Sequence, residues 1–439
     1  MATEPLAAAP PTGIAPSTPR WRLATRIAFR FCFVYFGLYI LLTQMLTSLL
    51  FVTTNDNGAF ELDMTSPARA VITWIGTHVF HLAHMLTRET GSGDRHYDWV
   101  ELALIFVLAL AATFVWSVLD RKREQYTKLF RWFRVVVRFA LGATLLTYGI
   151  VKIFPLQMSP PGYHRLLEPY GSFSPMGVLW ASIGAAPGYE FFAGCAEFLG
   201  GALLLFPRTA ILGALIALAD ATQVFLLNMT YDVPVKILSG TLILLSVLVL
   251  APEAQRLWDA VVRNRPVAPS RHFELCRSRR ANRIALGVQV VMALFLILGN
   301  VWMGVKTFQS RPPQSPLAGL WQVETFTLNN QPRPPLVTDA QRWQHVFFVS
   351  ANRLMVQTMP GNFESYKAAL NTAAGTLALT PPQGPPAQFT FRHPTPDQLF
   401  LTGTLDNARL QVSLQLIPRS SFRLVSRGFH WVQDAPFDR

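Results

Sequence analysis

Five ionisable side chains sit within stretches that are otherwise apolar: Lys152, Glu190, Glu197, Asp220 and Lys236. Glu190 and Glu197, in "GYEFFAGCAEFLGG" (188–201), are seven residues apart, about two helical turns, so a helix projects both from one side. Gly194 and Gly201 continue that stripe. Counted from the ends that the charge pattern below assigns to the outer surface, Glu197 is roughly nine residues deep and Asp220, in "IALADATQV", roughly eight; at about 1.5 Å per residue both reach the middle of a bilayer. Lys152 in "YGIVK", Glu190, and Lys236 in "YDVPVK" lie within about a turn of that surface, beside Tyr148, Tyr189, Asn228 and Tyr231. Ionisable groups at such depth are costly against lipid, so they face a bundle interior, a partner or water. Two acids below, with two lysines and an acid above, describe a polar funnel opening outward. Glu197 and Asp220 are placed to handle protons or to hydrogen-bond a ligand, and Lys152 and Lys236 to hold an anionic or carbonyl group. The competing explanation is architectural: Glu–Lys pairs tie helices together, and glycines allow them to approach.

Other motifs are weaker. His78, His81 and His84 follow one another at spacings of three, which rotates His84 by about 240° from His78, so one regular helix cannot turn all three to a single metal. Interfacial or pH-sensitive packing is the expectation there. "TGSGDRHYDWV" carries a Gly-Ser-Gly turn and Asp94, either to recognise a ligand or to start the next element. The chain ends on "RGFHWVQDAPFDR", where Arg427, His430, Trp431 and Asp434 either seal the C-terminal domain or lid the funnel. Cys32, Cys195 and Cys276 are far apart with no CxxC pair, which argues against a structural disulfide or a thiol relay. No nucleophile-plus-base arrangement, phosphate-binding loop or zinc spacing is legible.

The elements that must position these residues are read from hydropathy. Of 439 residues, 51% are hydrophobic and 14% charged, against roughly 25% charged in soluble proteins, which marks a membrane protein. Seven apolar runs can cross about 30 Å of hydrocarbon: 28–53, 100–119, 135–155, 188–206, 209–228, 233–251 and 283–304. The formal charge of +13 lies in short segments between these runs, which is topogenic charge and not a nucleic-acid patch. Basic connections at the N-terminus, at "DRKREQYTKLFRWFR" (120–134), at Arg208 and at 252–283 alternate with neutral or acidic ones, so the N-terminus is expected in the cytoplasm and the C-terminal region outside.

The expected organisation is a disordered cytoplasmic tail (1–26), two transmembrane helices flanking an outer-face interfacial helix at 66–86 (27–134), a four-helix membrane core (135–251), a basic cytoplasmic connection (252–282) and a seventh span (283–304). A β-domain (315–439) follows. Its strands are expected at "WQVETFTL", "HVFFVSA", "LMVQTM", "TLALT", "QFTFRH", "LFLTGTL", "LQVSLQLI" and "FRLVSR", in a closed or nearly closed antiparallel barrel. The fold class is thus mainly α and membrane-bound, with a small C-terminal β-barrel-like domain.

"YGIVK", "PMGVLW", "GYEFFAGCAEFLGGALLL" and "YDVPVKILSG" resemble, in this order, the DoxX-like membrane proteins over roughly 135–251. With "TGSGD" and "RGFHW", the whole chain looks like a larger bacterial subgroup with added spans and a C-terminal β-domain. The resemblance implies a four-helix core and an inner-membrane location, and its relatives include quinone-linked sulfur oxidoreductase subunits and partners of redox enzymes. This sequence departs from the redox members in lacking paired cysteines. The expectation is a pocket for a small amphipathic ligand, a quinone or a lipid, in a subunit of a membrane oxidoreductase with a membrane or extracytoplasmic redox partner. The rivals are a proton-coupled carrier and an assembly scaffold that uses its β-domain.

Overall fold

Among the described residues, seven helices are long and apolar enough to cross a membrane: Leu23–Leu42, His96–Leu119, Thr127–Ile153, Pro187–Leu205, Ala210–Thr230, Lys236–Val261 and Arg279–Gln309. They belong to a computed structural model that describes residues 20–50, 67–83, 85, 90–269, 275–276, 278–382 and 384–438. In chain order the helices are α1 (Leu23–Leu42), α2 (Gln44–Leu50), α3 (Pro67–His78), α4 (His96–Leu119), α5 (Thr127–Ile153), α6 (Tyr163–Leu167), α7 (Pro175–Gly184), α8 (Pro187–Leu205), α9 (Ala210–Thr230), α10 (Lys236–Leu250), α11 (Ala254–Val261), α12 (Arg279–Gln309) and α13 (Arg423–Ser426). The tail expected to be disordered lies largely outside the described residues, and helix has begun by Leu23. The first apolar run is not one helix. Thr43 takes an extended conformation after α1, its hydroxyl donating to the Tyr39 carbonyl at 2.7 Å, and α2 starts afresh.

The chain divides into two units. The first comprises Met1–Tyr148, Ala196–Met229 and Val233–Asn300; the second comprises Gly149–Cys195, Thr230–Asp232 and Val301–Arg439.

Within the first unit, small residues set the helix spacing. A methyl on Gly201 of α8 would lie 2.8 Å from the Gly142 carbonyl oxygen of α5, and one on Gly213 of α9 would lie 2.9 Å from the Gly200 carbonyl oxygen. These backbones therefore touch, as small-residue faces allow in lipid. Asn228 of α9 donates to Ser239 Oγ of α10 at 3.0 Å, and Thr147 of α5 to Asn300 of α12 at 3.2 Å. At the other margin the buried guanidinium of Arg30 binds the Tyr126 hydroxyl, Ser117 Oγ and the Asp120 carbonyl, and so clamps α1 to the connection after α4. The stretch 120–134 thus also supplies tertiary acceptors, in the Tyr126 hydroxyl and the Asp120 carbonyl, and not only topogenic charge.

The second unit carries the barrel. Its strands are β1 (Gly319–Leu328), β2 (Gln331–Pro332), β3 (Trp343–Ser350), β4 (Arg353–Thr358), β5 (Phe363–Asn371), β6 (Thr376–Thr380), β7 (Ala387–Thr395), β8 (Gln398–Leu405) and β9 (Ala408–Ile417). β1 and β3–β9 form an eight-strand antiparallel barrel that closes where β1 pairs with β9, Trp321 opposite Leu416, while the two-residue β2 pairs only with β1. Eight strands leave an interior that side chains can fill. Trp321, Phe326, Trp343, Val346, Phe389, Leu401 and Leu414 fill it here, and the Trp321 indole donates to the Leu317 carbonyl at 3.1 Å. Asp406 and Asn407, both with positive φ (50° and 63°), make the tight β8–β9 turn.

Two strand expectations are corrected. "FRLVSR" is not a strand but the helical turn α13, because β9 already pairs on both edges and the closed sheet offers no edge to a further strand. "FESYKAALN" is strand β5, which is absent from the expected strands. Its inward residues, Tyr366, Ala368 and Leu370, alternate correctly, but alanine, lysine and glutamate are poor strand formers, so only pairing with β4 and β6 reveals it.

Candidate functional site

The two acids expected at mid-membrane depth, Glu197 and Asp220, belong to the first unit. Glu197 is buried in α8, ten residues after Pro187, and Asp220 is half-buried in α9, ten residues before Thr230. The α8–α9 register fixes their relation. Gly213 faces Leu204 and Gly200 faces Ala217, so the antiparallel pairing, carried one turn further, places Glu197 level with Asp220. The α5–α8 register, set where Gly201 meets Gly142 and Leu146, brings Tyr148 to the same level as Glu197. Tyr148 also donates to Gln44 Oε1 at 3.4 Å.

Lys236 and Asn228 are engaged in architecture. Asp94 reaches the N-terminus of α10 from the Gly-Ser-Gly turn, its two carboxylate oxygens accepting the backbone N–H groups of Lys236 (2.8 Å) and Ile237 (2.9 Å). The Lys236 ammonium stands 3.8 Å from the same carboxylate, and the Gly93 N–H donates to the Pro234 carbonyl at 2.8 Å. Val235, the residue before α10, has no side chain able to cap, so a carboxylate from elsewhere serves, also opposing the positive end of the helix dipole. Asp94 is therefore a capping residue, a role that the unfilled N-cap at Val235 could have signalled. Asn228 holds α9 to α10 through Ser239.

The second unit contains Lys152, Glu190 and Tyr231. Glu190 is 1% exposed although it lies in the first turn of α8. Its Oε1 accepts the Met158 N–H at 2.8 Å, while Oε2 is buried without a hydrogen-bond partner. Lys152 and Arg311 are the positive charges that act on it. Lys152 is buried on the last turn of α5, whose backbone presses against Gly194; a methyl there would lie 2.7 Å from the Ile153 nitrogen. Arg311, just beyond α12, donates to the Pro155 carbonyl, and the neighbouring Gln157 has a buried, unpartnered Oε1. α7, capped by Ser174 Oγ with Pro175 in its first turn, presents Gly184 where a side chain would collide with the Met158–Ser159 backbone. Tyr189 is exposed and Tyr231 half-exposed.

The barrel is fixed to this polar corner. Arg419 donates to the Pro161 carbonyl at 2.8 Å and lies over the Tyr163 ring, and Tyr163 contacts Phe347 and Phe422. Arg311 and Gln157 carry no pattern of their own in the sequence and gain meaning only from the fold. The terminal segment leaves Phe429 and Trp431 exposed, Trp431 by 91%, with Arg427 stacked on Phe437 and donating to Gln433.

The histidine series does not form a helical face. α3 ends at His78, whose ring stacks on Trp74, and His81 has φ +54° outside the helix. His84 lies outside the described residues. Among the described residues no cluster of three or more His, Cys, Asp or Glu could hold a metal.

A stretch of 90 residues, 20% of the chain, is 34% identical to the uncharacterized protein YwoB of Bacillus subtilis (strain 168), and the match spans 58% of that protein. No family model matches the sequence, and no solved structure matches it.

Proposed function

We propose that this chain is a DoxX-like inner-membrane protein, with its N-terminus cytoplasmic and its barrel extracytoplasmic, that holds a small amphipathic ligand as a redox-linked subunit. The ligand class is a quinone or a quinone-like lipid. Glu190 carries the reading. A carboxylate buried to 1% exposure with one oxygen on a backbone N–H and the other unpartnered is costly unless something donates to it. A ligand hydroxyl would donate to Oε2, while the positive charge of Lys152 and Arg311 would suit the carbonyl or anionic form of the same headgroup. Glu197 and Asp220, level with each other in the neighbouring helices α8 and α9, would take and release protons deeper in the membrane.

The test is extraction of lipid-soluble molecules from the purified full chain. A quinone at near one per chain is expected, falling about tenfold or more in Glu190→Gln, because a charge-assisted hydrogen bond is weakened to a neutral one. Wild-type protein without such a molecule, or Glu190→Gln with undiminished content, refutes the assignment. The exposed Phe429 and Trp431 favour a second reading, a scaffold whose barrel binds an extracytoplasmic partner. That reading expects a stoichiometric partner to co-purify and to be lost with Phe429→Ala plus Trp431→Ala.

A further inference from the structure

A second polar centre lies at the opposite end of α5 and plays no part in the ligand reading above. Arg134 and Arg138, one turn apart on one face of α5, are both buried. Arg138 is seated: its Nε and a terminal nitrogen donate to the Leu204 and Leu205 carbonyls (2.9 and 3.0 Å), the last of α8, where a cation opposes the helix dipole. Arg134 is not seated in this way. It is 9% exposed, and its Nε is buried without a hydrogen-bond partner. The carboxylate that acts on it is Glu253, itself buried and already bound by Arg256 at 2.7 Å. Arg134 and Arg256 thus share one carboxylate while Arg138 adds its charge beside Arg134, which leaves a buried excess of positive charge around a donor nitrogen without a hydrogen-bond partner.

Depth identifies what could neutralise it. Arg134 immediately precedes the apolar run 135–155, so it lies at the boundary between headgroups and hydrocarbon, where lipid phosphates are found. A planar guanidinium offers its nitrogens to phosphate oxygens in pairs, which an ammonium cannot do. We infer that Arg134, backed by Arg138, binds a phosphate group, supplied by the headgroup of an anionic phospholipid. The bound phosphate would complete the charge balance that Glu253 leaves open and tie the start of α5 to the end of α8.

The test uses the full chain, delipidated in detergent and followed by thermal unfolding and by native mass spectrometry. Phosphatidylglycerol, phosphatidylcholine and inorganic phosphate are added separately. The expected result is a rise in Tm and a retained adduct with phosphatidylglycerol but not with phosphatidylcholine. Arg134→Gln should reduce adduct occupancy by about tenfold or more, the loss of a charge-assisted bond. Arg279→Gln, an exposed arginine at the start of α12, should leave it unchanged. Should Arg134→Gln fold poorly, Arg134→Lys keeps the charge but not the fork, and intermediate occupancy is expected from it. Protection by inorganic phosphate equal to that by phosphatidylglycerol would sustain the phosphate site and overturn the lipid as its source. Equal response to both lipids with none to phosphate, or undiminished phosphatidylglycerol binding in Arg134→Gln, would overturn the site.

Discussion

Asp94 shows how one side chain can be misread from its neighbours in sequence. It lies in a glycine-rich turn and invites a ligand, yet both its oxygens are committed to the first two N–H groups of α10. Removing it as Asp94→Ala is expected to cost about 1–3 kcal/mol, because two part-buried donors lose a charged acceptor. Lys236→Gln should cost less, up to about 1 kcal/mol, since its ammonium is partly solvated and 3.8 Å from the carboxylate. Thermal unfolding of the two variants in detergent checks the order, and an Asp94→Ala no worse than Lys236→Gln would disprove the capping role. In the barrel, His345 on β3 gives a pH signature. Burial pushes its pKa below the ordinary 6.5, with the Gln357 hydrogen bond working partly against this. The folded chain then binds fewer protons than the unfolded chain just below pH 6.5, so stability is complete above that value and declines as the pH falls through it. Hydrogen exchange of the β3 and β4 amides should therefore accelerate below pH 6.5, and the acceleration should shrink in His345→Gln.

At the scale of elements, what the sequence reveals and what it hides divide by range. The apolar runs are visible because each helix must carry its own hydrocarbon-facing surface, so each of the seven runs has a candidate span among the described residues, with shifted ends and, in the first run, a break at Thr43. The barrel is visible wherever β-branched and aromatic residues alternate, as in "LQVSLQLI", and invisible at β5, where alternation runs through alanine and charged residues. The partners of polar groups are hidden, because they come from remote segments. Asp94 serves α10, Arg138 serves α8, and Met158 serves Glu190, and no local spacing encodes any of these. The glycines of "GYEFFAGCAEFLGG" are an intermediate case: their stripe is legible, but the backbones it meets are not. Gly201→Ala is expected to destabilise by about 1–3 kcal/mol, since its methyl would lie 2.8 Å from the Gly142 carbonyl oxygen and 3.0 Å from the Leu146 nitrogen. Gly188→Ala, at the start of the same helix with nothing within 4 Å, should be neutral or slightly stabilising. Thermal unfolding of the pair separates helix packing from helix propensity.

For the whole molecule, the count of crossings and the distribution of charge make one joint prediction. If the seven candidate spans among the described residues all cross, the chain's two ends should lie on opposite faces of the membrane, because each crossing inverts the side and seven is odd. The basic connections 120–134 and 252–283 then share a face with the N-terminus, as the bias of arginine and lysine toward the cytoplasm requires. Even the buried arginines fit this arrangement, for Arg134 and Arg138 lie toward the basic end of α5 and Lys152 at its other end. The barrel should therefore stand outside. Single-cysteine variants in a background without Cys32, Cys195 and Cys276 provide the measurement. Lys367→Cys, on an exposed position of β5, should react with a membrane-impermeant maleimide on intact cells, whereas Arg265→Cys, between α11 and α12, should react only after permeabilisation. The reverse pattern would invert the topology and move Glu190 and Lys152 to the cytoplasmic side. Labelling of both sites on intact cells would mean an even number of crossings between them, and one of the seven helices would then lie along the membrane.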